Sequence, residues 1–246
     1  MNFRYKVLMI ITFCIIVSLG SFFMIRLMSQ SLENQLLEKC RIEVLVGAAI
    51  MSDIIGLLIE ETPLTTQDVF DFDYKLLPGS NPPRYHTRYN SVFDRHIQRI
   101  QDEFLRDKDL IYAVLMDKNG YVPTHNSKYS HPPTGDYNFD LMYSRSKRIF
   151  SGSESIRRIL SYTGEDVRKV LYKRDTGETI WNMGAPVYIK DQHWGSFIIG
   201  VSLERLDEIK NQMILLTMAI MFVILSLTML AILAVIPRKM LPQDLD

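Results

Sequence analysis

The residues with most to offer chemically follow one short stretch, Ile111–Ser130, which reads IYAVLMDKNGYVPTHNSKYS. His125, Asn126 and Tyr129 bring an imidazole, an amide and a phenol ring to a single loop. A rigid hairpin that carries such a loop suits ligand contact. Further on, Arg145, Lys147 and Arg148 offer positive charge to a carboxylate, which an arginine can hold bidentately. Each group also has a purely structural role open to it. His125 and Asn126 can satisfy backbone groups after the hairpin. Lys147 and Arg148 can form a solvated helix end favourable to the helix dipole. Arg174 and Asp175 can brace a turn, and His193-Trp194 can simply pack, with the indole N–H finding a partner.

Other chemistries find less support. The histidines are His86, His96, His125, His131 and His193, with no pair at metal-ligand spacing on a helix. There is no C-x-x-C-H, which excludes a covalently attached c-type haem. Non-covalent haem stays open because one axial histidine would suffice, and no other cofactor is expected. No nucleophile, base and orienting group occur in a known arrangement, so no enzymatic activity is expected. Lysine plus arginine equals aspartate plus glutamate, 28 each, so net charge gives no sign of a nucleic-acid partner.

The elements that must position these residues can be read from pattern. Ile111–Met116 is a short apolar strand, Asp117, Asn119 and Gly120 supply turn chemistry, and Tyr121-Val122 return. Pro123 ends the return strand or puts it on an edge. At the chain ends, Val7–Ile25 and Ile214–Ile236 are each long enough, at about 1.5 Å per residue, to cross a hydrocarbon core of roughly 30 Å. The apolar run continues through Phe22-Phe23-Met24-Ile25, past the small residues that would suit signal cleavage, and so favours an uncleaved anchor. Arg4 and Lys6 precede the first span, and Arg238 and Lys239 follow the second. Both ends should be cytoplasmic and the middle exported. The expected organisation is a cytoplasmic N-terminus (1–6), a first span (7–25), an exported domain (26–212), a second span (213–236) and a short cytoplasmic tail (237–246).

Between the spans, Leu27–Glu61 continues as a helix. Leu32, Leu36, Cys40, Val44, Ala48, Met51, Ile55 and Leu58 recur at intervals of three and four. This stripe is expected to pack on its own domain and, nearer the membrane, to pair with a second copy in a homodimer. Cys14 and Cys40 would lie ~39 Å apart along the helix, too far for an intrachain disulfide, so Cys40 is free or bridges a dimer. Pro63 stops the helix. Thr66–Tyr74 allows another helical turn, Leu77–Arg84 is a loop, and Tyr89–Asp107 is a helix with Val92, Phe93, Ile97, Ile100, Phe104 and Leu105 roughly on one face. After the hairpin, Asn138 is expected to cap a short helix, and Ser153–Ile159 forms another. Strands follow at Lys169–Lys173, Thr179–Ile189 and Trp194–Leu203. Pro186 is tolerable only at an edge or bulge, and Lys190–His193 forms a turn. The fold class is α+β: two transmembrane helices flank a domain with a long N-terminal helix and a five-stranded antiparallel sheet.

Several strings in order carry a resemblance. They are Tyr85-His86-Thr87-Arg88-Tyr89, Asp117 to Asn126, Lys128-Tyr129-Ser130, Thr134-Gly135-Asp136, Lys147-Arg148-Ile149-Phe150, Tyr172 to Glu178 and His193-Trp194-Gly195. Together, over most of Arg84–Gly200, they resemble the extracytoplasmic Cache (PAS-like) sensor domain of bacterial methyl-accepting chemotaxis proteins. The resemblance implies a pocket between the sheet and the covering loops that takes a small-molecule ligand. His125, Asn126, Tyr129, Arg145, Lys147 and Arg148 would lie on one side, and Tyr172, Arg174 and Trp181 on the opposite wall. It also implies a homodimeric receptor in the bacterial inner membrane that passes a conformational signal inward. Family members continue into HAMP and signalling regions. Here only Pro237–Asp246 follow the second span, so the expectation is either that a cytoplasmic or receptor partner carries the output or that the sequence is that of a truncated receptor. Competing expectations are a non-sensing membrane protein that forms mixed dimers with full-length receptors, and the sensor half of a histidine kinase or cyclase.

Overall fold

The computed structural model describes residues 3–235. Arg238, Lys239, the tail and the last residue of the second span lie outside the described residues. The chain divides into two compact units. Leu37–Leu203 forms one, and the flanking segments form the other. The first helix, α1, runs unbroken over Phe3–Glu61, and the last, α6, over Leu203–Val235. Both contain windows of mean hydropathy 2.6, with length and composition sufficient to cross a membrane. Their apolar side chains, Phe13, Phe23, Phe222 and Leu225 among them, are exposed. Large apolar surfaces of this kind call for a lipid or protein partner.

Along α1 the spacing of three and four does what it implies. Leu36, Cys40, Val44, Ala48, Met51, Ile55 and Leu58 are all buried, while Leu32 is half-buried. Gly47 interrupts the stripe because a Cβ there would collide with the Phe197 ring. Cys40 is a fully buried free thiol, and burial pushes it up to about 12. A bridge between two copies through Cys40 would first require this helix to leave its own core. The helix stops at Glu61, two residues before Pro63, and the Thr62 hydroxyl donates to the Leu58 carbonyl at 2.6 Å.

The elements that follow are α2 (Thr66–Val69), β1 (Lys75–Leu76), β2 (Tyr85–His86), α3 (Asn90–Phe104), β3 (Leu110–Asp117), β4 (Tyr121–Val122), α4 (Tyr137–Tyr143), β5 (Arg148–Ile149), α5 (Glu154–Leu160), β6 (Arg168–Lys173), β7 (Thr179–Ile189) and β8 (Gln192–Ser202). The fold is α+β with a long N-terminal helix and an antiparallel sheet, as expected. The strand count is different. The main sheet has four strands in the order β3-β8-β7-β6, while β4 pairs with β5 and β1 with β2. The reason lies at the free edge of β3. Its amides at Ala113 and Leu115 donate to the side chains of Asn126 (2.8 Å) and Gln101 (2.7 Å), so side-chain oxygens stand where a fifth strand would pair.

Other differences are local. The helix α4 is capped by Asp136, not Asn138, because the Asp136 carboxylate accepts from the amides of Asn138 and Phe139. The turn between β7 and β8 is tighter than four residues. Lys190 and Asp191 both take positive φ (48° and 62°), as a two-residue hairpin turn requires, so Gln192 and His193 already belong to β8. Pro186 lies inside β7 yet costs no ladder bond on the β6 side, since β6 begins opposite Gly184.

The expected hairpin does not form, since β3 pairs with β8 and β4 with β5, but the turn that joins β3 to β4 is held by Asp117. One carboxylate oxygen accepts from the amides of Asn119 and Tyr121, and the other from the hydroxyls of Tyr74 (2.7 Å) and Tyr89 (3.2 Å). Burial nevertheless pushes its carboxyl up to about 6. Next to it, Trp194 is buried against Tyr89 and Phe93 and donates its indole N–H to the Val69 carbonyl.

Candidate functional site

Strand alternation decides which residues meet. On one face of the main sheet lie Tyr112, Val114 and Met116 of β3, Ile198 and Gly200 of β8, Ile180 and Asn182 of β7, and Val170 and Tyr172 of β6. Helix α5 covers part of this face with Ile156, Ile159 and Leu160. The loop after β4 and the link from α4 to β5 bring the remaining polar groups.

The loop is held rigidly. The Gln101 and Gln98 side chains donate to the carbonyls of Thr124 (3.2 Å) and His125 (3.0 Å) on the loop. The His125 amide donates to the Ser146 hydroxyl, and the Asn126 amide donates to His125 Nδ1 at 2.9 Å. That last bond makes Nδ1 an acceptor and leaves the imidazole proton on Nε2. The His125 ring packs edge-on against Tyr112 and Tyr129. Burial first, then the nearby Arg145, Arg174 and Arg148, hold its pKa well below the ordinary imidazole range. Enclosed in this way, it gives haem ligation no support. Among the described residues, no three His, Cys, Asp or Glu side chains are grouped to hold a metal ion.

Two arginines enter from the α4–β5 link. Arg145 and Arg148 both donate through Nη1 to the Leu141 carbonyl (2.9 and 3.2 Å), and both stack on the Phe150 ring at 4.8 and 4.9 Å. Between them they hold one carboxylate. Arg145 Nη1 meets Asp175 Oδ1 at 2.7 Å, and Arg148 Nη2 meets Asp175 Oδ2 at 2.9 Å. Burial alone would raise the Asp175 carboxyl, but the two guanidiniums outweigh it and keep the pKa below its ordinary range. A third guanidinium, Arg174, pairs with Glu178 at 2.6 Å and lies over the Tyr112 and Tyr129 rings at 5.7 and 5.2 Å.

The balance of the cluster is positive and rich in donors. Three buried guanidiniums face two carboxylates, and His125 is neutral. Three buried N–H donors, Arg174 Nε, Asn182 Nδ2 and Asn126 Nδ2, have no hydrogen-bond partner. Asn182 spends its oxygen on the Tyr112 hydroxyl at 2.6 Å, and Asn126 spends its own on the Ala113 amide. Buried donors of this kind are costly unless something rich in acceptors satisfies them.

Of the residues singled out in the sequence, seven converge: His125, Asn126, Tyr129, Arg145, Arg148, Tyr172 and Arg174. Lys147 and Trp181 do not join them. Lys147 takes positive φ (66°), which turns it away between its two arginine neighbours to pair with Asp94 at 2.7 Å. Trp181 lies one residue out of phase with Ile180 and Asn182, so it faces the other side of the sheet, beneath Lys169 at 4.6 Å. Sequence reasoning passed over Tyr112, Asn182 and Phe150 as site residues and read Asp175 only as a turn brace. Asn182 carried a usable signal, as a polar residue at an inward position of an apolar strand.

No family model and no curated protein matches the chain. Among solved structures, it is similar to the Escherichia coli DcuS sensor domain, with 15% identity, 68% of this chain and 97% of that chain covered, and a TM-score of 0.37. It is also similar to the sensor domain of the Vibrio cholerae histidine kinase DctB, with 14% identity, 73% of this chain and 59% of that chain covered, and a TM-score of 0.35.

Proposed function

We propose that the chain is a membrane-bound sensor of chemoreceptor type. Its exported domain binds a small, acceptor-rich anion and passes a conformational signal across the inner membrane to a partner. The observation that carries this reading is the buried excess of positive charge, with unpartnered donors on Arg174 and Asn182 beside it. An oxygen-bearing anion would supply both the missing charge and the missing acceptors. Signal passage would follow from small helix displacements, about 1–2 Å in comparable switches. Exposed Ile42 and Val46 on α1 are one turn apart and offer apolar surface on which two copies can pair.

A melting-shift screen of the purified full chain against carboxylates, amino acids and phosphates tests the reading. At least one compound should raise the melting temperature, and Arg174→Gln should abolish that shift. A screen without any shift would count decisively against a sensor. Location is tested separately. A cysteine placed at exposed Lys118 should react with a membrane-impermeant maleimide added to spheroplasts. Protection until the membrane is broken would place the domain in the cytosol.

A further inference from the structure

We propose that Asp175 is a stand-in for the ligand: the Arg145–Arg148 pair is a carboxylate cradle, and a ligand carboxylate enters it by displacing Asp175 and freeing the β6–β7 turn. This deepens the sensor reading and rests on it.

The cradle is built without Asp175. The Leu141 carbonyl and the Phe150 ring hold both guanidiniums independently of the carboxylate. Their side chains are 4% and 10% exposed, whereas that of Asp175 is 28% exposed. The receptor groups are therefore buried and fixed, while the group they hold comes from the surface. Asp175 sits in the turn Arg174–Glu178, closed by the Arg174 amide on the Glu178 carbonyl and the Gly177 amide on the Arg174 carbonyl. Gly177 has φ of 91° there. Such a turn can swing out without disturbing the register of β6 on β7.

The stoichiometry also argues against a merely structural bridge. Bracing a turn needs one ion pair. Here two guanidiniums share one carboxylate, each taking one oxygen, which leaves a buried positive charge over. Burying like charges side by side is expensive, and such arrangements cluster at functional sites. The geometry around Asp175 shows what fits: a planar carboxylate with one oxygen to each arginine.

An occupied cradle lowers apparent affinity by the fraction of molecules in which it stands open. If that fraction is about 1–10%, removing the internal carboxylate should tighten binding about tenfold to a hundredfold. The experiment compares the full chain in detergent with its Asp175→Ala variant, using acetate, succinate and inorganic phosphate as probes. The variant should bind acetate or succinate at least about tenfold more tightly than the wild type. Arg148→Gln in the same background should remove the gain. A folded variant that binds both carboxylates no better than the wild type overturns the proposal, and so does an equal gain for phosphate. If the wild type still responds to some anion in either case, the sensor reading survives and only the displacement fails. If no anion shifts either protein, the sensor reading fails as well. Should Asp175→Ala not fold, Asp175→Asn keeps the shape and removes the charge. A spin label at exposed Lys173 gives an independent measure. Its mobility should rise when succinate saturates the wild type, and unchanged mobility at saturation overturns the proposal.

Discussion

The loop that carries His125 and Asn126 is fastened to the sheet by Gln101, and replacing that side chain tests the reasoning sharply. Gln101 is fully buried. Its oxygen accepts from the Leu115 amide at 2.7 Å, and its nitrogen donates to the Thr124 carbonyl at 3.2 Å. Gln101→Leu keeps the approximate volume, so little packing is lost. It strands one amide and one carbonyl, both in buried residues. Each stranded group costs about 1–3 kcal/mol, which puts the variant about 4 kcal/mol below the wild type. For a unit of this size that corresponds to a melting temperature lowered by about 8–16 °C. Gln98→Leu is the control. Gln98 also donates to the loop, at the His125 carbonyl, but it is only half-buried and water can replace it, so the cost should stay under about 1 kcal/mol. Thermal unfolding of the full chain, followed by the fluorescence of buried Trp194, measures both. Amide exchange at Ala113 and Leu115 should also quicken in Gln101→Leu, because the β3 edge opens. If Gln101→Leu melts within 2 °C of Gln98→Leu, the view that side chains close this edge is wrong.

Three further outcomes follow from burial and charge. His125 stays neutral in the folded state well below 6.5, whereas the unfolded chain takes up its proton near that value. Stability should therefore fall as pH drops below about 6.5, by at most about 1.4 kcal/mol per pH unit, and His125→Gln should flatten this part of the melting curve. Glu43 acts in the opposite sense. Burial, then the facing Asp107, push its carboxyl up to about 7, so the folded state holds the proton more tightly and stability should rise as pH falls from about 7 towards 4.5. Glu43→Gln should lose that rise when melting is compared across pH. Gly195→Ala should cost about 3 kcal/mol or more by melting, because a Cβ there would run into the Met116 carbonyl and stand 2.6 Å from the Asp117 Cα, both backbone that cannot yield.

Much of the architecture was legible because it is periodic. The stripe from Leu36 to Leu58 is a local repeat that any partner surface would bury, and it predicted the buried face of α1 closely. Pro63 and Gly120 act through backbone geometry, the latter at a φ of 88°, so their effects needed no knowledge of neighbours. The resemblance strings had reasons of their own. Asn90 accepts from Thr87 and from the Tyr121 hydroxyl, which ties the first string to β4.

What the residues by themselves determined is a long helix, a strand with the tight turn after it, a strand-rich end and two segments apolar enough for a bilayer, because each rests on spacing within a few residues. Which groups share a site was decided only by the tertiary structure. Asp175 reaches arginines 27 and 30 residues away, and Lys147 turns aside on a single positive φ. Trp181 is lost to the cluster by one step of strand phase. β4 leaves the main sheet because Gln101 and Asn126 reach its edge first. Each of these outcomes is a competition between distant partners for one donor, one acceptor or one face. A linear pattern names the competitors, and packing selects among them.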